Sequence, residues 1–210
     1  LFTASDYIIF VASASFRLAQ KKIMINDQKL AKAPKLIIPI RNVTELIRLF
    51  ENVTTEITLH FNRHQLNITT DQLVVTSRLI DGIFPDYRQI MPSKATSQVS
   101  IAKISLLNAV KLGQIFTDRL NHVMLKLRPD DKSLELSSQN GEVGENTSLL
   151  AAEVSGEELL INLNLRYLLD GLQFSDSNQV FLQFNGKNKP ILLTGVGDES
   201  FRYLIMPLNR

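Results

Sequence analysis

Ile38-Pro39-Ile40-Arg41-Asn42-Val43-Thr44-Glu45-Leu46-Ile47-Arg48-Leu49-Phe50 and the later Glu56-Ile57-Thr58-Leu59-His60-Phe61-Asn62 decide the fold, because the same pattern returns 123 residues on. The second copy runs Ile161-Asn162-Leu163-Asn164-Leu165-Arg166-Tyr167-Leu168-Leu169-Asp170-Gly171-Leu172, then Gln179-Val180-Phe181-Leu182-Gln183-Phe184-Asn185. Each copy reads as a short strand, a helix of about three turns and an alternating strand. Val43, Leu46, Ile47 and Phe50 recur at i, i+3, i+4 and i+7, which predicts a core-facing stripe. Asn42 is placed to cap that helix, with Glu45 three residues on as in a capping box. Ile57, Leu59 and Phe61 alternate with Thr58 and His60, so one face of the next strand is expected inside.

A third copy is readable from Val99-Ser100-Ile101 into a helix near 102–116, with Ile104, Leu107, Ala109 and Val110 on its buried side. Val123, Leu125 and Leu127 then alternate, and Leu134 and Leu136 mark another strand; Pro129-Asp130-Asp131 and Asn140-Gly141 supply turns. Residues 1–33 read as trailing strands, Tyr7–Ala12 and Phe16–Ile25, of a unit whose helix is not in the sequence. The expectation is an α+β chain of repeated strand-helix-strand-strand-strand units with antiparallel sheets. Pairing the units gives an incomplete first domain, 1–92, ending in a linker over 81–92, and a complete second domain, 93–210. The start at Leu1-Phe2-Thr3, without an initiator Met, suggests a fragment or a processed chain.

Composition narrows the function classes. The chain has 210 residues, 44% hydrophobic and 21% charged, ordinary for a globular protein. There is no cysteine, which excludes thiol catalysis, disulfides and Cys-based zinc sites. The formal net charge of +2 does not by itself argue for nucleic acid. No leader or membrane-length apolar run is present, and a cytosolic address is expected.

The catalytic inventory is thin. His60 and His64 lie on a strand and its following turn, without the Glu of a metalloprotease helix, and His122 has no local partner. Gly195-Val196-Gly197-Asp198 reads as a hairpin turn, since no helix follows to present its N-terminus to a phosphate. Asp130-Asp131 and Glu157-Glu158 are turn carboxylates. No nucleophile, base and orienting group assemble, so no enzyme, metal or cofactor is expected. Arg41, Arg48, Lys103 and Lys111 are spaced along two helices away from their apolar stripes. They could track a phosphate backbone loosely or form ordinary solvated faces.

The segment Phe84-Pro85-Asp86-Tyr87-Arg88-Gln89-Ile90-Met91-Pro92 is proline-interrupted and reads as an extended connector at a module boundary. Its ending returns as Ile205-Met206-Pro207, offset by 115 residues rather than 123, so the two copies are not equivalent module positions. Asp81 through Arg88 with Ile90-Met91-Pro92 resembles the linker between the second and third domains of bacterial β sliding clamps, the processivity subunits of DNA polymerase III. Tyr203 through Leu208 is similar to the terminal strand of that family. Phe16-Arg17-Leu18-Ala19 is similar to its His-Arg-Leu-Ala motif, and Asn164, Tyr167, Leu168, Leu169 and Asp170 match as well. The resemblance runs from mid-domain two to the end of the chain.

The resemblance implies a two-protomer ring around duplex DNA, with helices lining the hole and sheets outside. Arg41, Arg48, Lys103 and Lys111 would face the DNA. It further implies a pocket between domains two and three for short peptides of polymerases and clamp loaders. Arg17 and Leu18, then Pro85 and Ile90, would line it with Leu120, Asn164, Tyr167 and Pro190; Leu204, Ile205, Met206, Pro207 and Leu208 would complete it. Some of these, Leu18, Ile205 and Met206 above all, could equally serve only to pack the junction. This chain departs from the family at Ala14-Ser15-Phe16, at Gln89 and at Asn209-Arg210, which puts peptide specificity in question. With the first clamp domain absent, Ile115 and Phe116 would be exposed at a former dimer face, and the chain alone is expected not to close a ring. The second reading is a clamp-like adaptor that binds peptides without encircling DNA.

Overall fold

The computed structural model describes residues 1–3, 6–25, 34–92 and 94–208. The Asn209-Arg210 departure therefore lies outside the described residues. Two compact units are present: Leu1–Phe10 with Lys22–Asp86, and Val11–Lys21 with Tyr87–Arg210.

In the first unit β1 (Phe2–Thr3) pairs antiparallel with β2 (Tyr7–Ala14), and β2 continues into β3 (Arg17–Met24). The hairpin is divided: its base belongs to the first unit and its tip, Val11–Lys21, to the second. Next comes α1 (Ile40–Phe50), followed by the antiparallel sheet of β4 (Thr58–Phe61), β5 (Gln65–Thr69) and β6 (Val74–Arg78). The core here is small: Leu36, Leu66 and Ile68 are buried, with Leu46, Phe50, Leu59, Phe61 and Leu79 packed against them.

Two expectations for this unit are corrected. Residues 34–39 form no strand, and Pro39, which lacks a backbone donor, precedes the helix directly. Asn42 is not the cap. It sits inside the first turn, where its Nδ2 donates to Ser77 Oγ at 2.9 Å, while Pro39 supplies the carbonyl for the Asn42 and Val43 amides. Glu45 then pairs with Arg48 instead of reaching back to the helix start. Of the predicted stripe, Leu46 and Phe50 pack on the core, whereas Ile47 is exposed.

The second unit contains two complete copies of the predicted module. One is β7 (Ser97–Ala102), α2 (Lys103–Gly113), β8 (His122–Arg128), β9 (Ser133–Asn140) and β10 (Gly144–Ala151). After the short β11 (Glu153–Ser155) comes the other: β12 (Leu159–Asn164), α3 (Leu165–Gln173), β13 (Gln179–Phe184), β14 (Ile191–Gly195) and β15 (Asp198–Ile205). Each module gives its first strand to the other. β7 pairs with β13, and β12 pairs with β8, all antiparallel. The resulting sheets run β10-β9-β8-β12 and β15-β14-β13-β7-β11, and the hairpin tip of β3 joins the latter along β15.

Both helices and both sheets contribute to one continuous core. Leu106 and Val110 of α2 and Leu165, Leu168 and Leu172 of α3 meet Val123, Leu125, Leu163, Val180 and Leu182 of the strands. Burying each such side chain contributes about 1.5–3 kcal/mol. On α2 the buried positions are Leu106, Ala109, Val110 and Gly113, so the expected stripe is turned by part of a helical step and Ile104 is exposed. Gly113 packs closely on that side: a Cβ there would lie 3.1 Å from Leu136 Cδ2 and 3.2 Å from Leu165 Cδ1, so a side chain would require those leucines to give by a few tenths of an ångström. The connector is likewise not extended throughout. Tyr87–Ile90 forms one 3₁₀ turn with Tyr87 buried, and the Met91 amide donates to the Arg88 carbonyl. Gly195 through Asp198 is a β-hairpin turn, as the sequence predicts.

Candidate functional site

The strongest convergence of sequence-selected residues lies within the second unit, where the hairpin tip, α3 and the chain end meet. The hairpin turns at Ser15, whose φ of 21° is in the left-handed region. β3 then aligns antiparallel to β15 with Arg17 opposite Ile205, Leu18 opposite Leu204 and Ala19 opposite Tyr203. Paired residues share a face of the sheet. Ile205 and Tyr203 belong to the core, so Arg17 is directed to the α3 side. There its guanidinium pairs with the Asp170 carboxylate and lies 4.7 Å from the centroid of the Tyr167 ring. Tyr167 and Asp170 are three apart on α3 and so stand on one helix face, within reach of the same cation.

Tyr203 lies beneath this pair. Its ring stacks on Phe201 at 6.2 Å between centroids and fits over Gly171, where a Cβ would come within 2.5 Å of Cδ1. Burial pushes the Tyr203 phenol up from its ordinary value, against the opposing pull of Arg17. For Arg17, burial disfavours the charge, but Tyr203 and Asp170 more than offset it and the guanidinium pKa is raised. The Tyr203 hydroxyl is buried without a hydrogen bond of ordinary geometry.

Asn164 starts α3. Its Oδ1 accepts from the Arg166 and Tyr167 amides at 3.0 and 3.3 Å, and its Nδ2 donates to the Leu120 carbonyl at 2.8 Å. The amide expected to grip a ligand is thus engaged in capping the helix and fixing the loop before β8. Asp118 helps, accepting from the Leu120 and His122 amides. Beyond β15 the segment through Leu208 has no regular secondary structure but is hydrogen-bonded. The Met206 amide donates to the Phe16 carbonyl and the Leu208 amide to the Asn162 carbonyl, both at 2.8 Å. Pro207 between them has no amide to satisfy. The tail therefore bridges from the edge of β3 to the edge of β12.

The remaining predicted residues divide by exposure. Leu18, Leu204, Ile205 and Pro207 are buried, with Ile205 at 0% exposure, and cannot present side chains to a ligand; they underpin the tail. Arg17, Tyr167, Pro190, Met206 and Leu208 are half-buried, and Leu120 and Ile90 are half exposed. Pro85 is exposed in the first unit. Phe16, selected only as a departure, is 53% exposed at the hairpin tip. Three contributors lie outside the residues expected to meet a ligand: Asp170, Tyr203 and Gly171. Asp170 and Tyr203 stand in stretches that resemble the clamp family, and the i, i+3 spacing of Tyr167 and Asp170 is a usable signal. Gly171 carries no local signal.

Of the basic residues, Arg41 and Lys111 are exposed, and Arg48 is exposed but held at 2.8 Å by Glu45. Lys103 differs: its Nζ donates at 2.8 Å to the carbonyl of Ser175, just beyond the C-terminal end of α3. Ile115 is exposed and Phe116 half-buried. His60 and His64 are exposed, and among the described residues no group of three or more His, Asp or Glu is placed to hold a metal. No described helix is long and apolar enough to cross a membrane.

Comparison with known proteins places these features in context. Residues 1–86 match the family model for the DNA polymerase III beta subunit, central domain, and residues 88–209 match that for its C-terminal domain. A beta sliding clamp of Staphylococcus aureus is 28% identical over 203 residues, covering 96% of this chain and 53% of the relative. The chain thus spans about half the length of the curated relatives it matches. Among solved structures, a DNA polymerase sliding clamp from Bacillus subtilis superposes with a TM-score of 0.93 at 24% identity, over 99% of this chain and 55% of that one. A Pseudomonas aeruginosa sliding clamp bound to griselimycin gives 0.91 at 25% identity, over 99% and 56%.

Proposed function

Because this chain belongs to the β-subunit family of DNA polymerase III, we propose that it is the partner-binding portion of a replication clamp, a non-catalytic tether for polymerase and clamp loader. In this reading residues 1–92 correspond to the second clamp domain and 93–210 to the third. The whole protein would be a cytoplasmic homodimeric ring sliding on duplex DNA. Arg41, Arg48 and Lys111 would face the phosphates, with Lys103 contributing only when released from Ser175. The peptide site is assigned to Arg17, Tyr167, Met206, Pro190, Leu120, Leu208 and Ile90, all in the second unit; Asn164, Leu18, Leu204, Ile205 and Pro207 shape it from within.

The single observation that supports this best is the convergence of Arg17, Tyr167 and the tail at Met206. An aromatic face, a cation and a half-buried thioether beside the hydrogen-bonded segment after β15 suit an extended apolar peptide. Titration with peptides from a replicative polymerase tests it: Arg17→Ala or Met206→Ala should weaken binding about tenfold or more. Unchanged affinity in both would refute the assignment. Loading of the whole protein onto nicked circular DNA separates the ring from the adaptor reading, and light scattering on residues 1–210 is expected to give no ring-sized species.

A further inference from the structure

A cleft of about 280 Å³ opens in the first unit, apart from the residues assigned to peptide and DNA. Its walls are residues 34–37, the turn between β4 and β5 at Arg63 and His64, and residues 79–82. Backbone hydrogen bonds tie the walls together. The Leu79 amide donates to the His64 carbonyl and the Ile80 amide to the Ile37 carbonyl, both at 2.8 Å. The turn is fixed by Asn62, whose Oδ1 accepts from the His64 and Gln65 amides at 2.8 and 2.9 Å. The cleft is thus formed before a ligand arrives, and its backbone adds little ordering cost to binding. Its charge is one-sided. Lys35, Arg63 and His64 line it against a single carboxylate, Asp81. An adjoining hollow, which shares His64 and Leu79, adds Arg78. All of these side chains are exposed, and none forms an ion pair among the described residues. Lys35 rests only against the Phe2 ring, 5.4 Å from its centroid. Between the charges the lining is aliphatic, from Leu36, Ile37, Leu79 and Ile80, with no Phe, Tyr or Trp.

We propose that this cleft binds a short acidic and aliphatic peptide segment of a partner protein, with carboxylates at Arg63 and Lys35 and apolar side chains on the aliphatic lining. Charge complementarity carries the assignment, because unpaired cations around a preformed cleft attract carboxylates and speed their encounter. Arg63 can hold a carboxylate by two parallel hydrogen bonds, whereas Lys35 acts as a point charge. A nucleic acid fits less well: its phosphates would meet the same cations, but its bases would find no aromatic platform to stack on. Asp81 repels the ligand and limits its affinity. The cleft shares no residue with the Arg17 site, so the two sites stand or fall separately.

The test is calorimetric titration of the intact protein at low salt with a capped Asp-Leu-Glu-Leu-Asp peptide, its Asn-Leu-Gln-Leu-Asn counterpart and a short oligothymidylate. The acidic peptide should bind about fivefold tighter than either of the others. Lys35→Gln combined with Arg63→Gln should weaken it about fivefold or more, and both sites are exposed, so the fold should survive the change. Asp81→Asn should tighten it about twofold, a gain that damage to the fold would not produce. Arg17→Ala should leave its affinity unchanged. Equal binding of the acidic and neutral peptides overturns the proposal, as does an unchanged affinity in the Lys35 and Arg63 double variant. Tighter binding of the oligothymidylate overturns it in favour of nucleic acid. Loss of the acidic peptide in Arg17→Ala alone assigns that peptide to the other site, and absence of any binding also refutes the cleft.

Discussion

Gly171→Ala probes the packing that sets Arg17 against α3. The added Cβ would lie 2.5 Å from Tyr203 Cδ1, 2.8 Å from Cε1 and 3.2 Å from Cγ. Carbon contacts rest near 3.5–4.0 Å, so about 1 Å of movement is required. Tyr203 cannot easily provide it, since it is buried, stacked on Phe201 and anchored in β15 between β14 and β3. The helix must shift instead, at the roughly 1–3 kcal/mol of an overpacked core. Against this stands the helix propensity of alanine, worth about 1 kcal/mol over glycine in a helix interior. The net expectation is a loss of about 0–2 kcal/mol, read as a lower urea midpoint by circular dichroism with unchanged slope. Gly141→Ala is the control, because no atom lies within 4 Å of its Cβ position, and it should stay within about 0.5 kcal/mol of wild type. A Gly171→Ala protein more stable than wild type by the full helix-propensity gain of about 1 kcal/mol would refute the claim that Tyr203 is held rigidly against α3.

Asn164→Ala removes both the α3 cap and the Leu120 carbonyl's donor, and should cost about 1–2 kcal/mol by thermal melting. Asn164→Asp keeps the cap acceptor and should recover part of that loss. Tyr203→Phe should cost under about 1 kcal/mol at neutral pH, because the hydroxyl makes no hydrogen bond of ordinary geometry and its interaction with Arg17 is offset by burial. Its effect should appear at alkaline pH. The folded phenol is raised above its unfolded value of about 10, so the protonated form's stabilisation is full below that pH and is lost as pH rises through the folded value. The Phe variant should therefore show a flatter stability profile above pH 10, measured by urea midpoints. Equal slopes in the two proteins would contradict the burial assigned to Tyr203.

The module itself was legible in the chain because period and punctuation are local properties. The alternation of Val123, Leu125 and Leu127 and the hairpin at Gly195–Asp198 appear where the sequence predicts them. The helix faces were less legible. Ile104 and Ile47 satisfy an apolar period as well as their neighbours, and the choice between them follows from what stands opposite. Asn42 makes the same point: the residue type suits a cap, but Pro39 begins the helix earlier and Ser77 takes the side chain.

The candidate site shows a similar division. Arg17, Tyr167 and Met206 can be selected from motifs alone, whereas the engagement of the Asn164 amide with α3 and the Leu120 carbonyl cannot. Lys103 was grouped with the exposed cations, although a carbonyl 72 residues away holds it. Neither engagement is legible in the sequence, because a polar group's available valence depends on partners remote in sequence.

The sequence by itself determined that strand-helix-strand-strand-strand modules repeat, that catalytic chemistry is not assembled in local motifs, and that the chain resembles a clamp. Only the tertiary structure decided that each module of the second unit lends its first strand to the other, β7 to β13 and β12 to β8. It alone set Asp170 against Arg17, 153 residues apart. Strand and helix formation depend on neighbours a few residues away, whereas strand partners and counter-ions are fixed by burying both helices in one shared core.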